Sequence, residues 1–207
     1  MILVHHLENS RSQRVLWLLE ELGLDYQVKR YRRDSRTMLA PPELKRVHPL
    51  GKSPVLEDDG RIVAESGAIV EYLVEKADGR LGPPPRREAV LRYRHFLHYA
   101  EGSMMPPLFA MLVVNRLGLL GRPARATIQK MLDTHLDWLE TELAGRDWFA
   151  GESFSAADIM MSFPLEAARH RAGLDDNRPN LIDWLERIHA RPAYAEALKR
   201  GGSYAYA

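Results

Sequence analysis

The stretch His48-Pro49-Leu50-Gly51-Lys52-Ser53-Pro54-Val55-Leu56-Glu57-Asp58-Asp59-Gly60-Arg61-Ile62-Val63-Ala64-Glu65-Ser66 decides the fold. Two short apolar runs, Ser53 to Glu57 and Arg61 to Ala64, flank Asp58-Asp59-Gly60. An Asp-Gly pair between such runs signals a tight β-hairpin. Ser66 then precedes a helical pattern, Ile69, Val70, Tyr72 and Leu73. Upstream, Ile2 to Leu7 reads as a strand and Glu8-Asn9-Ser10 breaks it. Val15, Leu18, Leu19 and Leu22 recur at helical spacing, the mark of an amphipathic helix, which closes at Gly23. Tyr26 to Tyr31 reads as a second strand, and Ala40-Pro41-Pro42-Glu43-Leu44 opens a short helix. The order β-α-β-α-β-β-α over residues 1–77 is an α/β domain with a mixed sheet.

Downstream, Asp78-Gly79-Arg80-Leu81-Gly82-Pro83-Pro84-Pro85 reads as a linker over 78–85. Everything after it, 86–207, reads as an all-helical domain. Arg86 to Leu117 is a long helical segment that Pro106-Pro107 is expected to kink or split. Ala124 to Leu143, Ser155 to Arg171, Pro179 to Ala190 and Pro192 to Lys199 complete it. Gly201 to Ala207 is expected to be a loosely held tail.

Composition narrows the chemistry. The 207 residues carry a net charge of +1, so no overall field draws the chain to nucleic acid or an anionic membrane. There is no cysteine, which excludes disulfides, thiolate-ligated metals and a cysteine nucleophile. Any thiol chemistry must use a thiol that arrives with a ligand. No stretch approaches the roughly 18 apolar residues of a membrane span, so the expected location is the cytoplasm. His95 and His98 lie three apart on a helix without a carboxylate partner set, and no metal site is expected. The basic run Arg30, Arg32, Arg33 and Arg36 is read as a solvated face.

Three places offer binding chemistry. Ser53-Pro54 fits either a trans proline at a sheet edge or a cis turn, and the cis form would present the Ser53 backbone to an extended peptide ligand. Glu65-Ser66 fits either a plain helix cap or a site for an amino-acid head group. There Ser66 is the N-cap, free N–H groups face a carboxylate, and Glu65 takes the ammonium. Ser10, after a strand and before a helix, fits a capping box with Gln13. Alternatively, its hydroxyl hydrogen-bonds a ligand thiolate and helps lower a thiol pKa from about 8.5 toward neutrality. Ser12 is the rival donor, and Arg14 lies one turn on.

Taken in order, Asn9-Ser10-Arg11-Ser12-Gln13-Arg14-Val15, His48 to Leu56 and Glu65-Ser66-Gly67-Ala68-Ile69 resemble three signature stretches of the glutathione transferase superfamily. Gly151-Glu152-Ser153-Phe154-Ser155-Ala156-Ala157-Asp158-Ile159 resembles its capping box and hydrophobic staple, a folding element. The resemblance covers residues 1 to about 195. It implies a thioredoxin-like first domain with a four-stranded mixed sheet, and a helical second domain that shapes the electrophile site. It implies a cytoplasmic homodimer of the serine-type classes, acting in detoxification, with glutathione as co-substrate and no other cofactor.

By this resemblance Ser10 activates the thiol, Ser53 before a cis Pro54 holds the cysteinyl part, and Glu65 and Ser66 hold the γ-glutamyl head. Lys52 helps with the glycyl carboxylate. The position where many serine-type members carry a His or Lys for that carboxylate holds Leu39-Ala40-Pro41 instead, and Arg36 is a substitute. Tyr99, Met105 and Leu108 are candidates for the apolar wall facing the electrophile, and Glu101 for reaching a partner subunit's glutathione. Peroxide or disulfide reduction on the same site is an alternative activity, and a non-catalytic binding role on the same fold is another.

Overall fold

A computed structural model describes residues 1–206, which divide into two compact units. The first comprises 1–82 together with 189–205, and the second comprises 83–188 with Tyr206.

The first unit is built on strand β1, Ile2–Leu7. It pairs in parallel with β2, Tyr26–Tyr31, and antiparallel with β3, Val55–Asp58. Strand β4, Arg61–Ala64, completes a mixed sheet of order β2-β1-β3-β4. Parallel pairing of β1 and β2 requires a crossover, which helix α1, Ser12–Leu22, supplies. The β3–β4 hairpin turns at Asp59 and Gly60, both at positive φ (48° and 79°), as a two-residue primed turn demands. Short helix α2 spans Leu44–Val47, and α3, Ser66–Lys76, follows β4. Buried Asp58 fastens α3 to the hairpin through Lys76 Nζ at 2.7 Å and the Tyr72 hydroxyl at 2.7 Å. Lys76 is the main cause that holds the Asp58 carboxyl below its ordinary pKa.

Helix α1 ends where Gly23 adopts φ 59°, and Leu24 N–H donates back to the Leu19 carbonyl at 3.1 Å. The apolar stripe Val15, Leu18, Leu19 and Leu22 is fully buried, but so are Leu16 and Trp17 on the opposite side. That second side is covered by α9, Pro192–Gly201. Trp17 meets Tyr194 edge-on at 5.2 Å between ring centroids. The Arg191 guanidinium grips Glu21 with two bonds of 2.5 and 2.8 Å, and Arg200 reaches Glu20 at 3.0 Å.

The sequence reading assigned this last helix to a helical domain of 86–207. In the structure it belongs to the first unit, because α1 presents two apolar faces and the sheet can cover only one. The tail reading is corrected too. Arg30 donates to the Lys199 and Arg200 carbonyls, and Ala205 N–H donates to Asn9 Oδ1 at 2.7 Å. Ala207 lies outside the described residues.

The second unit is helical. Helix α4, Arg87–Tyr99, runs into a π-helical turn, Ala100–Met104, and then into α5, Met105–Arg116. Pro106 and Pro107 fall in the first turn of α5, where their missing N–H groups cost little, and the wide turn before them absorbs the disruption. A 3₁₀ turn, Gly118–Gly121, leads to α6, Arg122–Leu143, followed by α7, Ala156–Arg171, and α8, Pro179–His189.

The capping box at α7 forms as expected: Ser155 N–H donates to Asp158 at 3.0 Å and the Ser155 side chain takes the reciprocal bond. Asp158 also accepts the Phe149 N–H at 2.8 Å. Complete burial pushes its carboxyl up to about 6, against the pull of these donors. Asp158→Ala removes a cap and strands a buried N–H, so a loss of about 2–4 kcal/mol is expected. Urea unfolding of the variant followed by tryptophan fluorescence measures it, and a change below half a kcal/mol would refute this role for the carboxyl.

Candidate glutathione site

The C-terminal end of β1 feeds the loop 8–11, which opens α1. Asn9 there takes φ 50°, a conformation that asparagine tolerates better than most residues. Ser10 does not form a capping box with Gln13. The cap position of α1 is Arg11, and no side chain caps it. Instead Ser10 Oγ accepts the Ser12 N–H at 3.2 Å and lies 2.7 Å from Ser12 Oγ.

Ser12 is the more committed of the two serines. Its hydroxyl lies 2.9 Å from His6 Nδ1, 3.3 Å from the Leu7 carbonyl and 3.2 Å from the Leu7 N–H. Ser12 has no exposed surface, whereas Ser10 retains 5%.

The three signature stretches are tied together through single atoms. The Leu7 N–H is shared between Ser12 Oγ and Ser53 Oγ, each at 3.2 Å. Ser53 Oγ in turn donates to the His5 carbonyl at 2.8 Å. The Ser53–Pro54 bond is cis. It precedes β3, an interior strand, so the edge-strand reading of this proline is corrected: Ser53 lies just before the ladder, which begins at Val55. Arg14, buried in α1, donates to Ser66 Oγ at 3.3 Å and so joins the first loop to the start of α3.

Ser66 is the first residue of α3 rather than its cap; Glu65 holds the cap position at φ 72°, ψ 127°. A non-glycine residue there costs on the order of 1–3 kcal/mol, and such strain gathers at ligand clamps. Glu65 is exposed beside the buried Ser66. Lys52 is exposed as well, two residues before the cis proline. Arg36 is exposed in the loop after β2, its own N–H bound to Asp34. Arg33, read as part of a solvated basic face, is instead folded onto the first loop: its side chain donates to the Glu8, Asn9 and Met38 carbonyls.

The residues expected to form the electrophile wall occupy different surroundings. Tyr99 is built into an aromatic cluster with His95, Phe96 and Trp138, and its hydroxyl lies 2.6 Å from His135 Nδ1. Burial pushes that phenol well above its ordinary pKa. Met105 retains 6% exposure and Leu108 none, while Tyr99 retains 9%. Helical periodicity marked them as apolar but carried no sign of which face was outward. Glu101 lies in the π-helical turn. Among the described residues no group of three or more His, Cys, Asp or Glu is placed to hold a metal ion.

Sequence reasoning missed His6. It points inward from β1, is 2% exposed, and forms the inner end of the Ser10–Ser12 chain. Two adjacent histidines in a central strand were the available signal. Burial, reinforced by Arg30, lowers the His6 pKa to about 4, while a hydrogen bond to the Gly201 backbone and the charge of Glu8 oppose the shift.

Comparison with known proteins places this geometry in a family. Residues 1–75 match the model described as glutathione S-transferase, N-terminal domain, and residues 122–187 match glutathione S-transferase, C-terminal domain. The chain is 36% identical to glutathione S-transferase 3 of Schizosaccharomyces pombe, over 93% of this chain and 85% of that protein. It resembles the crystal structure of a glutathione S-transferase from Actinobacillus pleuropneumoniae with a TM-score of 0.89 and 35% identity, covering 100% of this chain and 95% of that one. A sphingomonad glutathione S-transferase solved in complex with glutathione shares 26% identity at a TM-score of 0.81, over 97% and 98% of the two chains. Fold and relatives thus define a transferase of the thioredoxin-like, two-unit type. The chain belongs to the glutathione S-transferase family.

A histidine whose folded pKa lies below its unfolded value binds fewer protons in the folded state, so stability rises with pH between the two values. For His6 the window runs from about 4 to the ordinary 6.5. Its contribution, on the order of 3 kcal/mol, is fully present above pH 6.5 and lost as pH falls toward 4. Urea midpoints measured across that window are expected to fall with acid, and His6→Asn to flatten the slope. An unchanged slope would assign the acid sensitivity elsewhere.

Proposed function

We propose that this transferase joins the thiolate of glutathione to small hydrophobic electrophiles, with Ser10 as the hydroxyl that hydrogen-bonds the sulfur. The observation that carries this reading is the convergence of the first loop, the cis-proline turn and the start of α3 through the shared Leu7 N–H and the Arg14–Ser66 bond. A peptide thiol needs all three: a donor for sulfur, a backbone for its middle residue and a clamp for its amino-acid head.

In this reading the Ser53 backbone holds the cysteinyl residue. Exposed Glu65 takes the γ-glutamyl ammonium, while Ser66 and the α3 N-terminus take its carboxylate. Lys52 and Arg36 supply positive charge for the glycyl carboxylate. The work on the thiol is electrostatic: a donated hydrogen bond and the α1 dipole favour the charged sulfur, and binding fixes its approach to the electrophile. Activity in detoxification, a cytoplasmic location and assembly as a homodimer belong to the same reading. Leu91 and Phe109, exposed on α4 and α5, are apolar surface that a second copy would cover.

The test is a steady-state panel of halo-aromatics, epoxides, isothiocyanates and peroxides. Ser10→Ala is expected to lower kcat/KM for the preferred electrophile by about 10- to 100-fold and to raise the pKa of bound thiol. Ser12→Ala is expected to keep most of the activity. The reverse pattern would move the catalytic assignment to Ser12. Peroxide turnover without conjugation would replace transfer by reduction. Glu65→Ala is expected to weaken glutathione binding at least tenfold, measured by calorimetry, because it removes the carboxylate at the cap position of α3; unchanged affinity would place the head group elsewhere.

A further inference from the structure

The hydroxyl chain Ser10–Ser12–His6 has a direction, and the direction follows from the imidazole. Nδ1 of His6 lies 2.9 Å from Ser12 Oγ. The ring also makes a hydrogen bond to the Gly201 backbone, and since Gly201 closes α9, where the N–H is used within the helix and the last carbonyls have no partner in it, the bonded atom is the carbonyl oxygen. Since Nδ1 faces Ser12, the bond to Gly201 uses Nε2–H. The packing agrees: a Cβ placed on Gly201 would come within 3.4 Å of His6 Cε1. A neutral ring with its hydrogen on Nε2 leaves Nδ1 as an acceptor.

A buried acceptor calls for a donor, so the Ser12 hydroxyl hydrogen turns to Nδ1 and away from the more distant Leu7 carbonyl. Ser12 then has no hydrogen left for Ser10. Two hydroxyl oxygens 2.7 Å apart must share one, so in the free protein Ser10 donates inward to Ser12. Ser10 Oγ meanwhile accepts the Ser12 N–H at 3.2 Å, which holds the oxygen in place whichever way its hydrogen points.

A hydroxyl that donates inward offers an oxygen lone pair to an incoming ligand, which suits a thiol and not a thiolate. Stabilising the thiolate requires the Ser10 hydrogen to turn from Ser12 to sulfur. We propose that His6 is a positioning residue for thiol activation: its Nδ1 lone pair draws the Ser12 hydrogen, so that the Ser12 oxygen competes with the glutathione sulfur for the hydrogen of Ser10. The proposal rests on the glutathione-site reading above and adds to it a restraint set from inside the sheet. The charged groups that bear on His6 are Arg30, which disfavours its protonation, and Glu8, which favours it. Burial is the larger influence, and together they keep the ring neutral near pH 7, so the chain keeps its inward direction there.

The prediction has an unusual sign. His6→Phe keeps a ring and removes the lone pair. The Ser12 hydrogen is then free to turn to Ser10 or the Leu7 carbonyl, and the Ser10 hydrogen to point outward. Thiolate absorbance of bound glutathione, titrated against pH, is expected to show a pKa about half to one pH unit lower than in the unaltered protein, the equivalent of one recovered hydrogen bond. His6→Asn, whose amide oxygen accepts the Ser12 hydrogen, is expected to restore the original value. In a Ser10→Ala background His6→Phe is expected to have no effect, because the hydrogen in dispute is gone.

Should His6→Phe fail to fold, Ser12→Ala carries the test. It removes the competing oxygen, leaves Leu7 N–H its bond to Ser53, and is expected to lower the thiol pKa in the same way. No shift, an upward shift, or a shift that survives Ser10→Ala overturns the proposal; loss of a merely structural contact would raise the pKa. Affinity for S-methylglutathione, which has no ionisable thiol, is measured alongside and is expected to be unchanged in the His6 variants. If the unaltered protein fails to bind S-methylglutathione, the glutathione-site reading falls before any variant is compared.

Discussion

Placing polar side chains inside a central strand is the constraint on which the first unit depends. Strand β1 is paired on both edges, and both of its histidines are buried. Each ring must be met by a partner supplied from outside the strand. Tyr31 answers His5, at 2.9 Å, with the Glu57 carboxylate 3.7 Å from its other nitrogen. Ser12 and Gly201 answer His6. Because the hydrogen-bond partners come from β2, α1 and α9, the two rings tie three elements to β1. The Ser10 hydroxyl inherits its surroundings from that arrangement.

Much of the first unit was legible in the sequence because its signals are local. Short apolar runs and helical spacing marked the elements, and Asp59-Gly60 declared the hairpin. The capping box at Ser155 and Asp158 was legible for the same reason, since its two halves lie within one turn. What the sequence concealed is non-local. Leu16 and Trp17 look like the outer side of an amphipathic helix until α9 covers them. Tyr99, Met105 and Leu108 were recognisable as apolar, but their burial depends on which helices surround them.

The site divides along the same line. Ser10, Ser53-Pro54 and Glu65-Ser66 could be singled out by residue type and position. The alternatives of helix cap, edge proline and N-cap stayed open in the sequence because the next element decides the geometry: Arg11 and Glu65 take the cap positions, and β3 is interior. His6 carried no signal beyond its place in a strand. Its importance arises only when α9 brings Gly201 against it, with no room for a side chain: a Cβ there would lie 2.5 Å from Gln13 Oε1.

That closing contact has a bearing on how the chain matures. The first unit is discontinuous, made from segments on either side of the helical unit in the chain. During synthesis the sheet and α1 emerge early, but α9 is still unmade, so Leu16 and Trp17 have no cover and His6 lacks the Gly201 carbonyl. The unit is therefore completed only once α9 has left the ribosome, after the whole helical unit has appeared. A protein truncated before Pro192 would be left with an open apolar face on its first unit, a ready target for chaperones and proteases. Closure of the first unit, and with it the Gly201 partner of His6, therefore waits on a helix that follows the whole helical unit in the chain.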